Sequence, residues 1–151
     1  MTDTVFAGQN PAYRSAFFLF FIKFKIMKKA IHTDKAPKAI GPYSQAIETG
    51  NMLFVSGQIP IIPQTGELSQ GSISEQTKLV MDNIGEILKE AGYNYNNIVK
   101  TTCLLADIKD FQEMNNVYGG YFSENPPARS AFAVKDLPKG AKLEIEVIAS
   151  K

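Results

Sequence analysis

Tryptophan is absent from this 151-residue sequence, and cysteine and histidine occur once each, as Cys103 and His32. A single cysteine excludes an intramolecular disulfide and fits a reducing compartment, the cytoplasm. One cysteine and one histidine cannot supply the ligand cluster that zinc draws on, so no metal is expected. A Ser-His-Asp triad would have to use His32, and no G-x-S-x-G turn presents a serine. A dominant charge is missing as well. Sixteen Lys/Arg against fifteen Asp/Glu leave a net charge of +1, and the pair Lys28-Lys29 is too small a basic cluster for a nucleic-acid arm. The apolar run from Ala16 to Ile22 is far shorter than a membrane-spanning helix, and Lys23 and Lys25 end it.

What is present is the composition of one ordinary globular domain, 44% hydrophobic and 21% charged, at a length that builds one core. Residues 1–26 differ in character from the rest and are expected to be an extension outside the domain, from a start assigned too early or a dispensable segment. Met27 opens the domain, 27–151. Lys28 to Thr33 reads as a short strand. Tyr43 to Glu48 and Met52 to Ser56 read as two strands around Thr49-Gly50-Asn51. Ser72-Ile73-Ser74-Glu75 has capping-box spacing and starts a helix whose apolar stripe is Leu79, Val80, Ile84, Ile87, Leu88 and Ala91, closed by Gly92. Ile98 to Ala106 alternates as a strand. Asp110 caps a second helix, which turns Phe111, Met114, Val117, Tyr118, Tyr121 and Phe122 inward and stops before Pro126-Pro127. Strands from Ser130 to Val134 and from Lys142 to Ala149 finish the chain.

The order β-β-β-α-β-α-β-β predicts an α+β sandwich, with both helices on one face of a single sheet. The last two strands carry apolar residues on both faces, so the uncovered face is expected to pack against another subunit.

The chemistry concentrates near the C-terminus. Arg129 follows the rigid pair Pro126-Pro127 at the mouth of a short apolar strand, with small neighbours Ala128, Ser130 and Ala131 that leave room for a ligand. It reads either as a surface ion-pair partner or as a bidentate anchor for a carboxylate. Glu144 and Glu146 share one strand face, roughly 7 Å apart. They are either solvated or placed to handle water and protons. Tyr43 follows Gly41-Pro42 and is either core or ligand-facing. Asn115 on the second helix requires a hydrogen-bond partner if it is buried. Cys103 lies mid-strand and reads as inert core. The arginine and the glutamate together suggest chemistry on a small carboxylic acid without metal or cofactor.

Five motifs, in order, are similar to those of the RidA family, also called the YjgF or reactive intermediate deaminase family. They are Ala39-Ile40-Gly41-Pro42-Tyr43-Ser44-Gln45-Ala46, Ser56-Gly57-Gln58-Ile59-Pro60, Asn115-Asn116-Val117-Tyr118, Pro127-Ala128-Arg129-Ser130 and Glu144-Ile145-Glu146-Val147-Ile148-Ala149. The resemblance runs from Met27 to Lys151. It implies a chorismate-mutase-like fold with a six-stranded mixed sheet, and a homotrimer with clefts between subunits. It implies hydrolysis of 2-imino acids and their enamines (2-aminoacrylate, 2-iminobutanoate, 2-iminopropanoate) to 2-keto acids and ammonia, without a cofactor. The substrates would come from pyridoxal-phosphate-dependent dehydratases. By the same resemblance Arg129 binds the carboxylate, Glu144 holds water or a proton, Tyr43 and Asn115 line the cleft, and the Gly57 backbone meets the ligand. Members often carry a cysteine two positions after the arginine; this chain has Ala131. The competing readings are a non-catalytic trimer that binds small carboxylates, and an endoribonuclease or translation inhibitor, which the near-neutral charge disfavours.

Overall fold

The computed structural model describes residues 28–151; the expected extension, residues 1–26, lies outside the described residues. The elements in chain order are strands β1 (Lys29–Ile31), β2 (Ala46–Thr49) and β3 (Met52–Gln58), helix α1 (Ile73–Glu90), strand β4 (Ile98–Leu105), helix α2 (Phe111–Gly119), and strands β5 (Ala128–Ala133) and β6 (Leu143–Ser150).

Helix α1 starts where the sequence says it must. Ser72 accepts a hydrogen bond from the Glu75 backbone N–H, and the Glu75 carboxylate accepts one from the Ser72 N–H, closing the capping box. At the other end the Tyr93 N–H donates to the Leu88 carbonyl and the Gly92 N–H to the Lys89 carbonyl, with Gly92 at φ 74°. That is a Schellman ending, and its left-handed residue favours glycine. Helix α2 begins differently from expectation. Asp110 makes no side-chain cap; Asp107 accepts from the Lys109 N–H one turn earlier and caps a short 3-10 turn that leads into the helix.

The six strands form one sheet in the order β1-β2-β3-β6-β4-β5. Only β4 and β5 run parallel, so the sheet is mixed. β6 inserts between β3 and β4, joining the antiparallel β1–β2–β3 meander to the parallel β4–β5 pair. Both helices lie on one face. The alternation along β4 and β6 turns Thr101, Cys103, Leu105, Leu143, Ile145 and Val147 into the core beneath them. The opposite face is uncovered and leaves Phe54 43% and Phe132 48% exposed. The α+β architecture, with a six-stranded mixed sheet and two helices on one face, is the one expected.

Strand boundaries moved in two informative places. Tyr43 is not in a strand: its N–H turns back to the Gly41 carbonyl at 2.9 Å, and β2 begins only at Ala46. β5 begins at Ala128, two residues before the expected Ser130, because parallel pairing with β4 already holds Lys100 against Ala128. Arg129 therefore sits inside the strand rather than at its mouth.

Candidate functional site

Arg129 stands beside Thr101 in the β4–β5 register. Thr101 is fully buried under the helices, so Arg129 points to the helix-covered face. There α2 grips it. The Arg129 Nη2 donates to Asn115 Oδ1 at 2.8 Å. The guanidinium carbon lies 4.7 Å from the centroid of the Tyr118 ring and 5.5 Å from that of Phe111, both within cation–π range. The Tyr118 hydroxyl is itself held by the Thr101 hydroxyl at 2.8 Å. One flat side of the guanidinium is thus packed and one N–H is taken, while its other edge faces a cavity of about 330 Å³ lined by Asn115, Gly119, Phe122, Pro126 and Pro127. A fork held this way suits a planar carboxylate.

Glu144 stands beside Leu104 in the β4–β6 register, one residue out of phase with Thr101 and Val147. It points to the uncovered face. It lines a second cavity of about 530 Å³, together with Tyr43, Ser56, Gly57, Ile59, Pro138 and Glu146. Burial, and then the neighbouring charge of Glu146, push the Glu144 carboxyl above the ordinary glutamate value. Gly57 lies so close that a Cβ added there would collide with the Glu144 carboxylate. Tyr43, 51% exposed, has its hydroxyl oxygen hydrogen-bonded by the Ile40 N–H at 3.3 Å.

All five residues singled out in the sequence line cavities, in two separate groups. Arg129 and Asn115 form one; Glu144, Tyr43 and Gly57 form the other. Within one chain the two groups face opposite sides of the sheet, and the strands of Arg129 and Glu144 are two spacings apart, roughly 10 Å. Sequence reasoning placed Tyr118 and Phe111 as core and missed their stacking on the arginine. The signal was there: Phe111, Asn115 and Tyr118 fall at helical i, i+4 and i+7 spacing. Cys103 pairs in register with Ala131 and is buried, and its thiol is pushed up to about 11, mainly by burial. It is an inert core residue, as expected.

Known proteins share this chain's sequence and fold. The chain is 52% identical over 124 residues to the 2-iminobutanoate/2-iminopropanoate deaminase of Rattus norvegicus, an alignment that covers 82% of this chain and 90% of the relative. Its fold matches that of YyfA, a Rid-family protein from Yersinia pestis, with a TM-score of 0.81 at 48% identity over 83% of this chain and all of the other (100%). It also matches E. coli TdcF, crystallised with bound serine, with a TM-score of 0.78 at 44% identity over 82% of this chain and 99% of that one. Residues 33–151 fit the family model described as Endoribonuclease L-PSP, and with this match, these identities and five motifs in order the chain belongs to that family, the RidA (YjgF, reactive intermediate deaminase) family.

Proposed function

We propose that this protein is a hydrolytic deaminase of 2-imino acids and their enamines, with each active site assembled from two copies of the chain. The observation that carries the reading is the division of the site. The carboxylate fork is on one side of the sheet, the acid/base carboxylate on the other, and a small acid cannot bridge them within one chain. A second copy laid on the uncovered face, where Phe54 and Phe132 are exposed, brings its Arg129 to this chain's Glu144. Such a contact joins two different patches, so it is heterologous, and a rotation that closes makes it a ring. Three copies, with three clefts, is the ring we favour.

In this site the partner's Arg129 holds the substrate carboxylate with two parallel hydrogen bonds, and its Asn115 and Tyr118 keep the guanidinium in plane. C2 of the iminium lies over Glu144. A water oxygen bonds to C2 while Glu144 takes its proton and passes it to nitrogen. The C–N bond then breaks as Glu144 takes the proton of the new hydroxyl and hands it to the departing ammonia, giving the 2-keto acid and ammonium. An iminium carbon is already electrophilic, so orientation and one proton relay suffice. The reading places the protein in the cytoplasm, beside dehydratases that use pyridoxal phosphate and release the substrate. The bound serine in the TdcF crystal and the name of the rat relative both support a small amino-acid-like carboxylate as the ligand.

The test is turnover. Serine or threonine and a dehydratase generate the enamine in situ, and keto-acid release is followed with semicarbazide competing for the imine. Acceleration by this protein is the expected result. A folded oligomer that gives none moves the assignment to a non-catalytic carboxylate binder. The family model's description, Endoribonuclease L-PSP, motivates one control: no RNA cleavage is expected from a surface of net charge +1.

Two further results are expected. Gly57→Ala drives the Glu144 carboxylate from its place and lowers kcat by about 100-fold, with the melting temperature little changed, because the group that moves is the end of a flexible side chain. The acid limb of the pH–rate profile falls above the ordinary glutamate value of 4.5, since Glu144 must be ionised to accept a proton and its pKa is raised. Glu146→Gln removes the like charge and moves that limb to lower pH. A limb that Glu146→Gln leaves in place would assign it to another group.

A further inference from the structure

Helix α2 carries all three partners of the Arg129 guanidinium, Phe111, Asn115 and Tyr118, yet by itself it is a weak platform for them. It is nine residues long and buries only Met114 and Tyr118. Helices this short have little stability of their own in water. Its last turn runs through Gly119 into Gly120, and glycine is the least restrained residue a helix can contain. What holds it still lies outside the helix.

Two side chains fasten it to α1, one toward each end. In its first turn Glu113 Oε1 accepts from the Ser74 hydroxyl at 2.7 Å and from the Ser74 N–H at 3.3 Å. Ser74 lies in the first turn of α1, where backbone N–H groups have no partner within the helix and a carboxylate is favoured. Just past the two glycines, the Tyr121 hydroxyl donates to Asp82 Oδ1 at 2.8 Å, and its oxygen lies 3.2 Å from that of the Lys78 carbonyl. The Tyr121 ring rests on Tyr95, centroids 5.1 Å apart, and the Tyr95 hydroxyl donates to the Met81 carbonyl at 2.8 Å. Gly85 makes room for this pair, since a Cβ there would collide with the Tyr95 hydroxyl. The Tyr121 N–H donates to the Tyr118 carbonyl at 3.2 Å, so a fixed Tyr121 fixes the turn that carries the Tyr118 ring. Neither Tyr121 nor Asp82 lines the Arg129 cavity or the Glu144 cavity.

We propose, on the deaminase reading of the site, that Tyr121 is a positioning residue for the reaction: its bond to Asp82 ties the end of α2 to α1 and so holds Asn115 and Tyr118 where they aim the Arg129 fork. A hydroxyl bonded to a carboxylate makes one of the stronger hydrogen bonds. The Asp82 carboxylate is steadied from its other side by Lys78 Nζ, 2.6 Å from Oδ2. Without the Tyr121 bond, Gly119 and Gly120 let the last turn fray and the Tyr118 ring leaves the face of the guanidinium. The arginine keeps its charge but loses the plane that two parallel hydrogen bonds to a carboxylate need. The loss falls on KM, because the carboxylate is held alike before and during the reaction.

The experiment uses the whole protein in the dehydratase-coupled assay, with the imino acid supplied at graded rates. Tyr121→Phe keeps the ring and its contact with Tyr95 and deletes only the hydroxyl. It raises KM for 2-iminobutanoate about tenfold and leaves kcat within about twofold of wild type. Tyr95→Phe deletes the other hydroxyl of the same ring pair and leaves KM unchanged, whereas a merely structural role would move both. Asp82→Asn keeps an acceptor oxygen and the wild-type KM; Asp82→Ala behaves as Tyr121→Phe does. The Asp82 side chain is 47% exposed, so water meets whatever these changes leave unpaired, and the Asp82 pair decides the matter even if Tyr121→Phe does not fold. Added to Arg129→Ala, Tyr121→Phe raises KM no further, since it acts through the arginine. An unchanged KM in Tyr121→Phe and Asp82→Ala overturns the proposal, as does a rise that Tyr95→Phe shares or one that persists on top of Arg129→Ala. If wild type turns over no imine, the deaminase reading fails, and titration with 2-oxobutanoate decides the positioning by itself. Weaker binding to Tyr121→Phe but not to Tyr95→Phe upholds it; equal binding by all three proteins, or none by wild type, removes it.

Discussion

Arg129→Ala lowers kcat/KM for 2-iminobutanoate by about 100- to 1,000-fold, the loss expected when two charge-assisted hydrogen bonds to the substrate carboxylate disappear. Most of the loss appears in KM, because the carboxylate is held alike before and during the reaction. Arg129→Lys recovers little of it. A lysine keeps the charge, but it neither forks onto a carboxylate nor lies flat on the Tyr118 ring 4.7 Å away. Asn115→Ala is milder, since it frees one Nη that is now held at 2.8 Å and leaves the fork aimed by stacking alone. The fold is not at stake: Arg129 lies on β5 at the sheet edge, so the variant's melting temperature stays close to that of wild type. An Arg129→Ala oligomer with unchanged kcat/KM would remove the anchor from the mechanism.

Mixing two nearly inactive proteins restores activity. Assayed at substrate well below KM, Arg129→Ala and Glu144→Gln subunits are each nearly inactive when assembled alone. If they are dissociated, combined in equal amounts and reassembled, each cleft draws its arginine from one subunit and its glutamate from the next. Random assembly in a ring then makes about one quarter of the clefts intact, so activity returns to about 25% of wild type. A site contained in one subunit would recover nothing, because every copy carries one lesion. The prediction follows from the register alone. Arg129 aligns with Thr101 and Glu144 with Leu104, and residues an odd number apart on a strand face opposite sides. The size of the recovery also reports on the assembly itself, since a quarter requires free exchange and one arginine and one glutamate per cleft.

The raised Glu144 pKa fits the same division. The group is partly buried on a sheet face that carries a second carboxylate two residues along, and both conditions favour the protonated form. A proton acceptor pushed up from the ordinary glutamate range is better matched to work near neutrality. Among the described residues, no lysine or arginine lines the cavity that Glu144 shares with Glu146. In the proposed assembly the nearest one belongs to the neighbouring copy and is occupied by the substrate carboxylate.

Much of this protein is legible in its sequence because the signals are local. Ser72 and Glu75 three residues apart close a capping box, Gly92 takes the left-handed position that ends the helix, and the alternation in Leu143–Ser150 places Glu144 and Glu146 on one face. Each of these is decided within a few residues by backbone geometry and hydrogen bonding. The five candidate site residues also came from short motifs. Where local signals were ambiguous, distant partners decided. Asp107 displaced Asp110 as the cap. β5 started early because β4, some thirty residues before it, offered a parallel edge from Lys100 onward. Tyr43 stayed out of β2 because the Gly41-Pro42 turn folds its N–H backward. Register and layer, by contrast, rest on strands that meet only when the chain has closed. β6 enters between β3 and β4, and that insertion is what puts Glu144 on the open face while Arg129 lies under the helices. The sequence by itself singled out Arg129 and Glu144 as the side chains proposed to hold a carboxylate and move a proton. The tertiary structure decided that they lie on opposite faces of one sheet: the alternation of β6 turns Glu144 away from the core, but β5 has no such pattern, and only its pairing with β4 puts Arg129 under the helices.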